Sequence, residues 1–537
     1  MINGNIESIK IRDFYANKSI LITGASGFIG KIILLKILTA CPDVQHIYVL
    51  MRSKYDMSSN KRLSSMLSSV PFTYVLNDDN PVKNKVTPVE GDITSEGLGF
   101  SDSDLQSICD NVNVVFHCAA SVKFDAPLKE SLDYNVFATK QVINLCKQIK
   151  QLSCFIHCST AYSHCQRREI DEQFYKVSAD AHELMQMSRW LPSASLDQLS
   201  HHLMEGRPNT YTYTKALAEQ LVAQECQDLP CAVVRPAIVV NSDTEPRPGW
   251  IDNVNGPSGI SILGALGILR AVNWNYYAKT DFVPVDKVAN AMIAVGAAVG
   301  QQNRETNLKI YNITSSNIHP ITWGQIFESG YKGAQEAPSI RAVRPVIKPP
   351  KQTGPHPILN PLKVFFSHWM FAYFLDLIIM LCGHRRIMVR VTGKMHYALH
   401  VMNYFTQHEW MFRSQNLLQL YQCLDTDEKQ LFNFDMTSIN WDTFARNSHF
   451  GNRRHLLKES DDSIGKARQR MQRIEIAYWL FKMLLIASVA YLMSALTLYL
   501  FVGRHLLDGE CRIYNNYYTV YSTGLLVCGI YMFCNRN

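Results

Sequence analysis

Short runs of consecutive apolar residues alternate with amphipathic stretches over the first half of the chain. The runs at Ser19–Thr23, His46–Met51, Val86–Glu90, Asn113–His117, Cys154–His157 and Ala232–Arg235 are rich in Val, Ile and Phe. Apolar runs of this length predict strands buried on both faces. Lys31–Thr39 and Asn135–Ile149 carry helical spacing between them. Strand–helix alternation with unbroken apolar strands predicts an α/β fold, a Rossmann-type doubly wound parallel sheet with helices on both faces.

The pattern changes beyond the sheet. Arg344–Pro350, continued by Pro355, Pro357 and Pro361, reads as a proline-rich linker. It divides the chain into an α/β part over 1–340, a linker over 341–361, a smaller, mostly helical C-terminal domain over 362–457 and a charged connector with membrane-anchoring segments over 458–537. Leu362–Cys382 is very apolar but carries Lys363, His368 and Asp376, which suits a buried or membrane-surface helix better than a span. Met483–Val502 is uncharged and has about the twenty residues a helix needs to cross hydrocarbon. Tyr517–Cys534, with Gly524 and Gly529, is a shorter second candidate, and the two together predict a transmembrane hairpin.

Charge orients that hairpin. Arg453, Arg454, Lys458, Lys466, Arg468, Arg470, Arg473 and Lys482 precede or open the first span. Between the spans Arg504 and Arg512 are balanced by Asp508 and Glu510. Lys and Arg accumulate on the cytoplasmic side, so the body is expected to face the cytosol, with Asn535–Asn537 returned to it. Endoplasmic reticulum and peroxisome both satisfy this reading.

Composition adds little except exclusions. A net charge of +7 over 537 residues allows an anionic small molecule or membrane surface. It lacks the dense basic stripe of a nucleic-acid binder, and no nucleic-acid partner is expected. Fourteen scattered cysteines, behind an N-terminus without the apolar core of a secretory signal, fit a reducing compartment. Cys154, His157, Cys158, His164 and Cys165 match no zinc-finger spacing, and Phe155–Ser159 reads as a buried strand.

The chemistry concentrates where strands end. Ser19–Lys31 reads SILITGASGFIGK, a strand turning through Gly24, Gly27 and Gly30 into a helix. Such a turn lets backbone approach a pyrophosphate at a helix N-terminus. Lys31 then reads equally as a phosphate ligand or as a solvated first-turn lysine. At the end of the second strand stands Arg52, where a carboxylate would select an unphosphorylated ribose. A guanidinium pairs with a 2′-phosphate, so the site reads as one for NADPH. Asp92 follows the third strand and is placed beside the adenine. His117–Ser121 supplies small residues after the fourth.

Tyr211 and Lys215, in YTYTK, lie four apart and share a helix face. A neighbouring ammonium is expected to lower the phenol pKa and make Tyr211 a proton donor to a carbonyl oxygen. Thr160, with Ser159 as rival, ends the fifth strand and is placed to hydrogen-bond the substrate oxygen.

Together TGASGFIGK, the pair in STAY and YTYTKALAE resemble the extended short-chain dehydrogenase/reductases, and more closely the fatty acyl-CoA reductases with a male-sterility-type C-terminal domain. The resemblance also covers GWIDNVNGPSGISILGALGILR, DFVPVDKVAN and FNFDMTSINW. It implies cofactor contacts from Gly24, Gly27, Gly30, Arg52, Asp92 and Asn135, and catalysis by Tyr211 and Lys215 with Thr160 or Ser159. It also implies NADPH, a long-chain fatty acyl-CoA substrate, an aldehyde intermediate and a primary alcohol product made at a lipid bilayer. Phe371 departs from the family pattern, which has proline before Ala-Tyr. Two other readings stay open: a membrane-bound hydroxysteroid or sugar-nucleotide dehydrogenase, and a non-catalytic NADPH sensor. Neither accounts as well for both FNFDMTSINW and an intact Tyr211/Lys215 pair.

Overall fold

Seven parallel strands form the central sheet: β1 Ser19–Thr23, β2 His46–Met51, β3 Val86–Glu90, β4 Val112–His117, β5 Cys154–Cys158, β6 Cys231–Pro236 and β7 Lys309–Ile313. This computed structural model describes residues 9–53, 57–77, 80–301, 308–351 and 359–508. The order across the sheet is β7-β6-β5-β4-β1-β2-β3. The chain therefore reverses direction between β1 and β4, and the crevice at their carboxyl ends is where such sheets bind ligands.

Alternation within each strand explains the unbroken apolar runs. Ile20 and Ile22 face one core layer, whereas Leu21 faces the other. The same switch separates Val114 and Phe116 from Val115, and Ile156 from Phe155. Successive side chains of a strand point to opposite faces, so both faces demand apolar residues here. The six expected strands are present to within one residue at either end. The strand missed is β7, an edge strand paired only with β6.

The helices that position the site are α1 Phe28–Ala40, α2 Ala138–Cys146, α3 Thr210–Glu225 and α4 Val285–Gln301. The helix expected over Asn135–Ile149 starts earlier, at Leu128, passes through a π turn at Asp133–Phe137 and continues as α2. Such turns frequently mark functional sites.

The C-terminal region does not stand apart. Met411–Phe412 pairs in parallel with Glu169–Ile170, and Ile9 bridges to Leu424. Phe405, Phe412, Phe432 and Phe444 belong to the same apolar cluster as β1 and α1. Of the expected linker, residues 352–358 lie outside the described residues. Before them, Arg344 is buried and bound to the carbonyls of Gly267 and Ile268.

Two described helices are long and apolar enough to cross a membrane, over Asn360–Leu381 and Asp461–Leu500, with mean hydropathy 1.8 and 2.0. The first ends in α5, Met370–Leu381, and is followed by α6, Met388–Gln407. Burial, one of the two expectations for this segment, is not observed. Phe365, Phe366, Tyr373, Phe374, Leu377 and Leu381 are exposed, while His368 and Asp376 are buried. The Asp376 carboxylate accepts from the backbone N–H groups of Ile387, Met388 and Val389, holding the start of α6. The segment thus turns His368 and Asp376 inward, while Lys363 and most of its apolar residues face out.

The second runs through α7, Ile464–Asp508, a helix roughly 68 Å long at 1.5 Å per residue. Its first turns expose Lys466, Arg468, Arg470 and Arg473, and the expected span Met483–Val502 lies in its distal half. The second expected span, Tyr517–Cys534, lies outside the described residues.

Candidate active site

The glycine turn is closed on two sides and open on the third. Gly24 has φ +75°, and a Cβ on it would lie 2.6 Å from the Ala119 nitrogen. A Cβ on Gly30 would lie 2.3 Å from the Gly24 carbonyl oxygen, so α1 starts in backbone contact with the turn. At Gly27 a Cβ would meet only that same oxygen, at 3.1 Å. Gly27 is the N-cap of α1, and no side chain caps the helix. The open face therefore presents unpaired N–H groups at the positive end of a helix dipole, which fits a pyrophosphate.

Lys31 takes neither of its expected roles. Its ammonium pairs with the Asp252 carboxylate at 2.7 Å and ties α1 to a loop that follows β6.

Arg52 is half exposed at the end of β2. Its Nη1 donates to Asp92 Oδ2 and to the Tyr134 hydroxyl, each at 3.3 Å. Nε and Nη2 are not engaged by these bonds, which leaves a face of the guanidinium for a phosphate. Asp92 also accepts from the Thr94 N–H and hydroxyl at 2.9 and 2.8 Å. Burial works against its charge, but the Thr94 bonds and Arg52 hold its carboxyl below the usual range.

Asn135 sits in the π turn and is buried. Its amide accepts from the Ser121 N–H at 2.9 Å and donates to the Ser121 carbonyl and to Thr214 Oγ1 at 3.2 and 2.9 Å. Both ends of the amide are spent on protein. It thereby links the Cys118–Ser121 loop to α3.

The catalytic candidates converge on the carboxyl end of β5. Asn209 caps α3 through Thr212 N–H, and Tyr211 and Lys215 project from its first turns. The Tyr211 hydroxyl lies beside the Thr160 side chain, and its ring stacks on Phe124 with centroids 5.4 Å apart. Lys215 is buried, and its Nζ donates to the Cys158 carbonyl at 2.7 Å.

Burial raises the Tyr211 pKa and lowers that of Lys215. The sequence predicts a phenol pKa lowered by the ammonium, and the structure differs. The ammonium is anchored to backbone, and desolvation of the ring dominates, so Tyr211 is held in its proton-carrying form.

Ser159 and Thr160 are separated by their partners. Ser159 donates to Glu219, which also accepts from Ser163 at 3.0 Å and takes both Nε and Nη2 of Arg235 at 2.9 and 2.6 Å. Ser159 is thereby locked beneath the site, while Thr160 stands at the phenol.

Sequence reasoning missed this Glu219–Arg235 pair and the aromatic wall. Glu219 lies four residues beyond Lys215 on α3, and Arg235 interrupts an apolar strand, so both left a visible signal. The wall did not. Phe405 from α6 packs on Phe124 and Tyr162, with centroids at 5.6 and 5.2 Å, bringing the C-terminal region over Tyr211.

Residues 22–292 match the NAD-binding family described as male sterility protein, and residues 367–459 match a second family of that description. The mouse fatty acyl-CoA reductase 1 is 35% identical over 482 residues, which is 90% of this chain and 93% of that protein. The human fatty acyl-CoA reductase 2 is 34% identical over 88% of this chain and 91% of its own length. The chain belongs to the fatty acyl-CoA reductases. Among solved structures, the reductase domain of a non-ribosomal peptide synthetase from Mycobacterium tuberculosis superposes with TM-score 0.53 at 16% identity, covering 85% of this chain and 96% of that one. The terminal R domain of the myxalamid pathway gives TM-score 0.52 at 18% identity, covering 83% and 92%. These two share the fold. Membership of the reductase family gives the open glycine cradle and the Tyr211–Thr160 pair a common purpose, since one side of the crevice suits a dinucleotide and the other a carbonyl.

Proposed function

We propose that this chain reduces a long-chain fatty acyl-CoA to a primary alcohol and free coenzyme A, by way of an aldehyde, with NADPH as reductant and Tyr211 as proton donor. The observation that carries the site assignment is the half-buried Tyr211, its phenol beside the Thr160 side chain and its ring stacked on Phe124, which packs in turn on Phe405.

Gly24, Gly27, Gly30 and the N-terminus of α1 would hold the pyrophosphate, and Arg52 the 2′-phosphate. Bound NADPH supplies hydride to the carbonyl carbon. The chain's own groups manage the oxygen. As negative charge develops there, Tyr211 delivers its proton, and Thr160 fixes the direction of the phenol. Return of the hydroxyl proton to Tyr211 would accompany loss of the thiolate and leave an aldehyde, which would take hydride from a second NADPH and a proton from the same phenol in a second round. The aromatic wall excludes water and gives the acyl chain an apolar surface.

Membrane attachment follows the same chemistry, because the alcohol product partitions into lipid. The exposed basic turns at the start of α7 support a body on the cytosolic side. The test is purified full-length protein with NADPH and a panel of acyl-CoAs, its products separated by gas chromatography. Fatty alcohol is expected, and an absence of both aldehyde and alcohol across the panel overturns the reading.

A further inference from the structure

Two guanidinium groups, Arg270 and Arg344, are buried near the meeting of the Asn360–Leu381 helix and the proximal part of α7. Arg344 spends Nε, Nη1 and Nη2 on the carbonyls of Gly267, Ser367 and Ile268, at 3.0, 2.8 and 2.9 Å, and lies 3.7 Å from the Phe371 ring centroid. Arg270 is 7% exposed, and its Nε and Nη2 have no hydrogen-bond partner among the described residues. Its guanidinium carbon lies 5.4 Å from the centroid of Tyr478 on α7.

No carboxylate among the described residues pairs with either arginine. Residues 352–358, QTGPHPI, lie outside the described residues and contain no acidic residue. His368 accepts from the backbone N–H groups of Arg270 and Ala271 at 2.9 and 3.2 Å, so it brings no negative charge. Two neighbouring buried cations without a counter-ion are costly, and an anion would offset that cost.

Arg270 borders a pocket lined by Ser261, Leu269, Trp274, Val346 and Ile347. That lining offers an anion the Arg270 guanidinium, with Ser261, Tyr331 and His449 as further polar groups in a mostly apolar surface. Tyr478 stands just ahead of the uncharged part of α7, where an amphipathic ring meets lipid headgroups. The exposed aromatic face of the Asn360–Leu381 helix adjoins the arginines through Ser367, His368 and Phe371.

We propose that Arg270, backed by Arg344, is a binding site for the phosphate of a membrane lipid. The headgroup takes the free Nε and Nη2, and the acyl chains run out along the apolar faces of the two helices. The proposal is independent of the chemistry at Tyr211, because its test reads binding.

The experiment follows thermal unfolding of full-length protein in neutral detergent, titrated with dioctanoyl phosphatidic acid, inorganic phosphate or glycerol 3-phosphate. Dioctanoyl phosphatidic acid is expected to raise the midpoint saturably in the wild type. Arg270→Met should need roughly ten- to hundredfold more lipid, the loss of charge-assisted bonds, while Arg270→Lys keeps part of the response. Inorganic phosphate and glycerol 3-phosphate should leave the midpoint unchanged at the same concentrations. The proposal is overturned if phosphatidic acid gives no shift, if Arg270→Met responds like the wild type, or if a soluble phosphate produces the shift equally. Should Arg270→Met fail to fold, the three wild-type titrations and Arg270→Lys decide it.

Discussion

The Lys215 ammonium donates to the Cys158 carbonyl oxygen at 2.7 Å, fastening the active-site helix to the end of β5. That bond sets where Tyr211 meets Thr160, two residues beyond Cys158. Lys215 thus acts on the phenol through geometry, since burial raises the Tyr211 pKa. The phenol stays protonated well above its ordinary range.

Tyr211→Phe keeps the ring stacked on Phe124 and removes the proton. Alcohol formation should fall by about 10²–10⁴-fold, with NADPH binding nearly unchanged. Because the raised pKa preserves the acid form as pH rises, wild-type kcat should show no loss from phenol ionisation between about pH 7 and 9. Steady-state rates and cofactor titration by fluorescence check both.

Arg52→Ala should weaken NADPH far more than NADH. A charge-assisted bond to phosphate contributes roughly 1.5–3 kcal/mol, about ten- to hundredfold in affinity. Equal loss of both cofactors would show that Arg52 does not hold the 2′-phosphate.

Glu219 supplies acid sensitivity. Burial opposes its charge, but Arg235 and His164 overcome this and hold its carboxyl well below the usual range. A depressed carboxylate stabilises the fold above its unfolded pKa, near 4.3, and that stability is lost as pH falls through the folded value. Glu219→Gln should cost about 3–5 kcal/mol at neutral pH by leaving Arg235 buried and unpaired. Its unfolding midpoint should then fall less steeply than the wild type's below about pH 4, as seen by circular dichroism.

Phe405→Ala opens the roof above Tyr211. Truncating a buried phenylalanine costs about 3–5 kcal/mol, and KM for long acyl chains should rise more than KM for short ones. A uniform rise across chain lengths would remove Phe405 from the acyl path.

Protease added to sealed microsomes or peroxisomes should digest the catalytic body without detergent. Survival until detergent is added would place it in the lumen.

The sheet was legible because strands buried on both faces must be apolar throughout. β7 was not, since Tyr311 and Asn312 interrupt its apolar run, and Asn312 is buried only because its amide donates to the Arg413 carbonyl of the C-terminal region. Gly24, Gly30, Tyr211 and Lys215 were readable from spacing, for a turn and a helix face are local properties. The choice between Thr160 and Ser159 was not local. It turns on Glu219 and Arg235, which reach Ser159 only once α3 and β6 have packed. Phe405 left no trace either, because its role arises from a contact between residues distant in the chain. The exposed face of the Asn360–Leu381 helix was half legible. Its polar residues were visible, but that His368 and Asp376 point inward emerges only from the Asp376 cap on α6.

The pairing of Ile9 with Leu424, and of Glu169–Ile170 with Met411–Phe412, also fixes an order of events during synthesis. The catalytic sheet cannot gain its last partners until residues beyond Leu424 have left the ribosome, so the body matures late and as one piece. Every one of those partners is nonetheless made before the uncharged part of α7. The translating chain therefore carries a complete passenger before it exposes its anchor, and delivery to the membrane is delivery of an enzyme already able to fold.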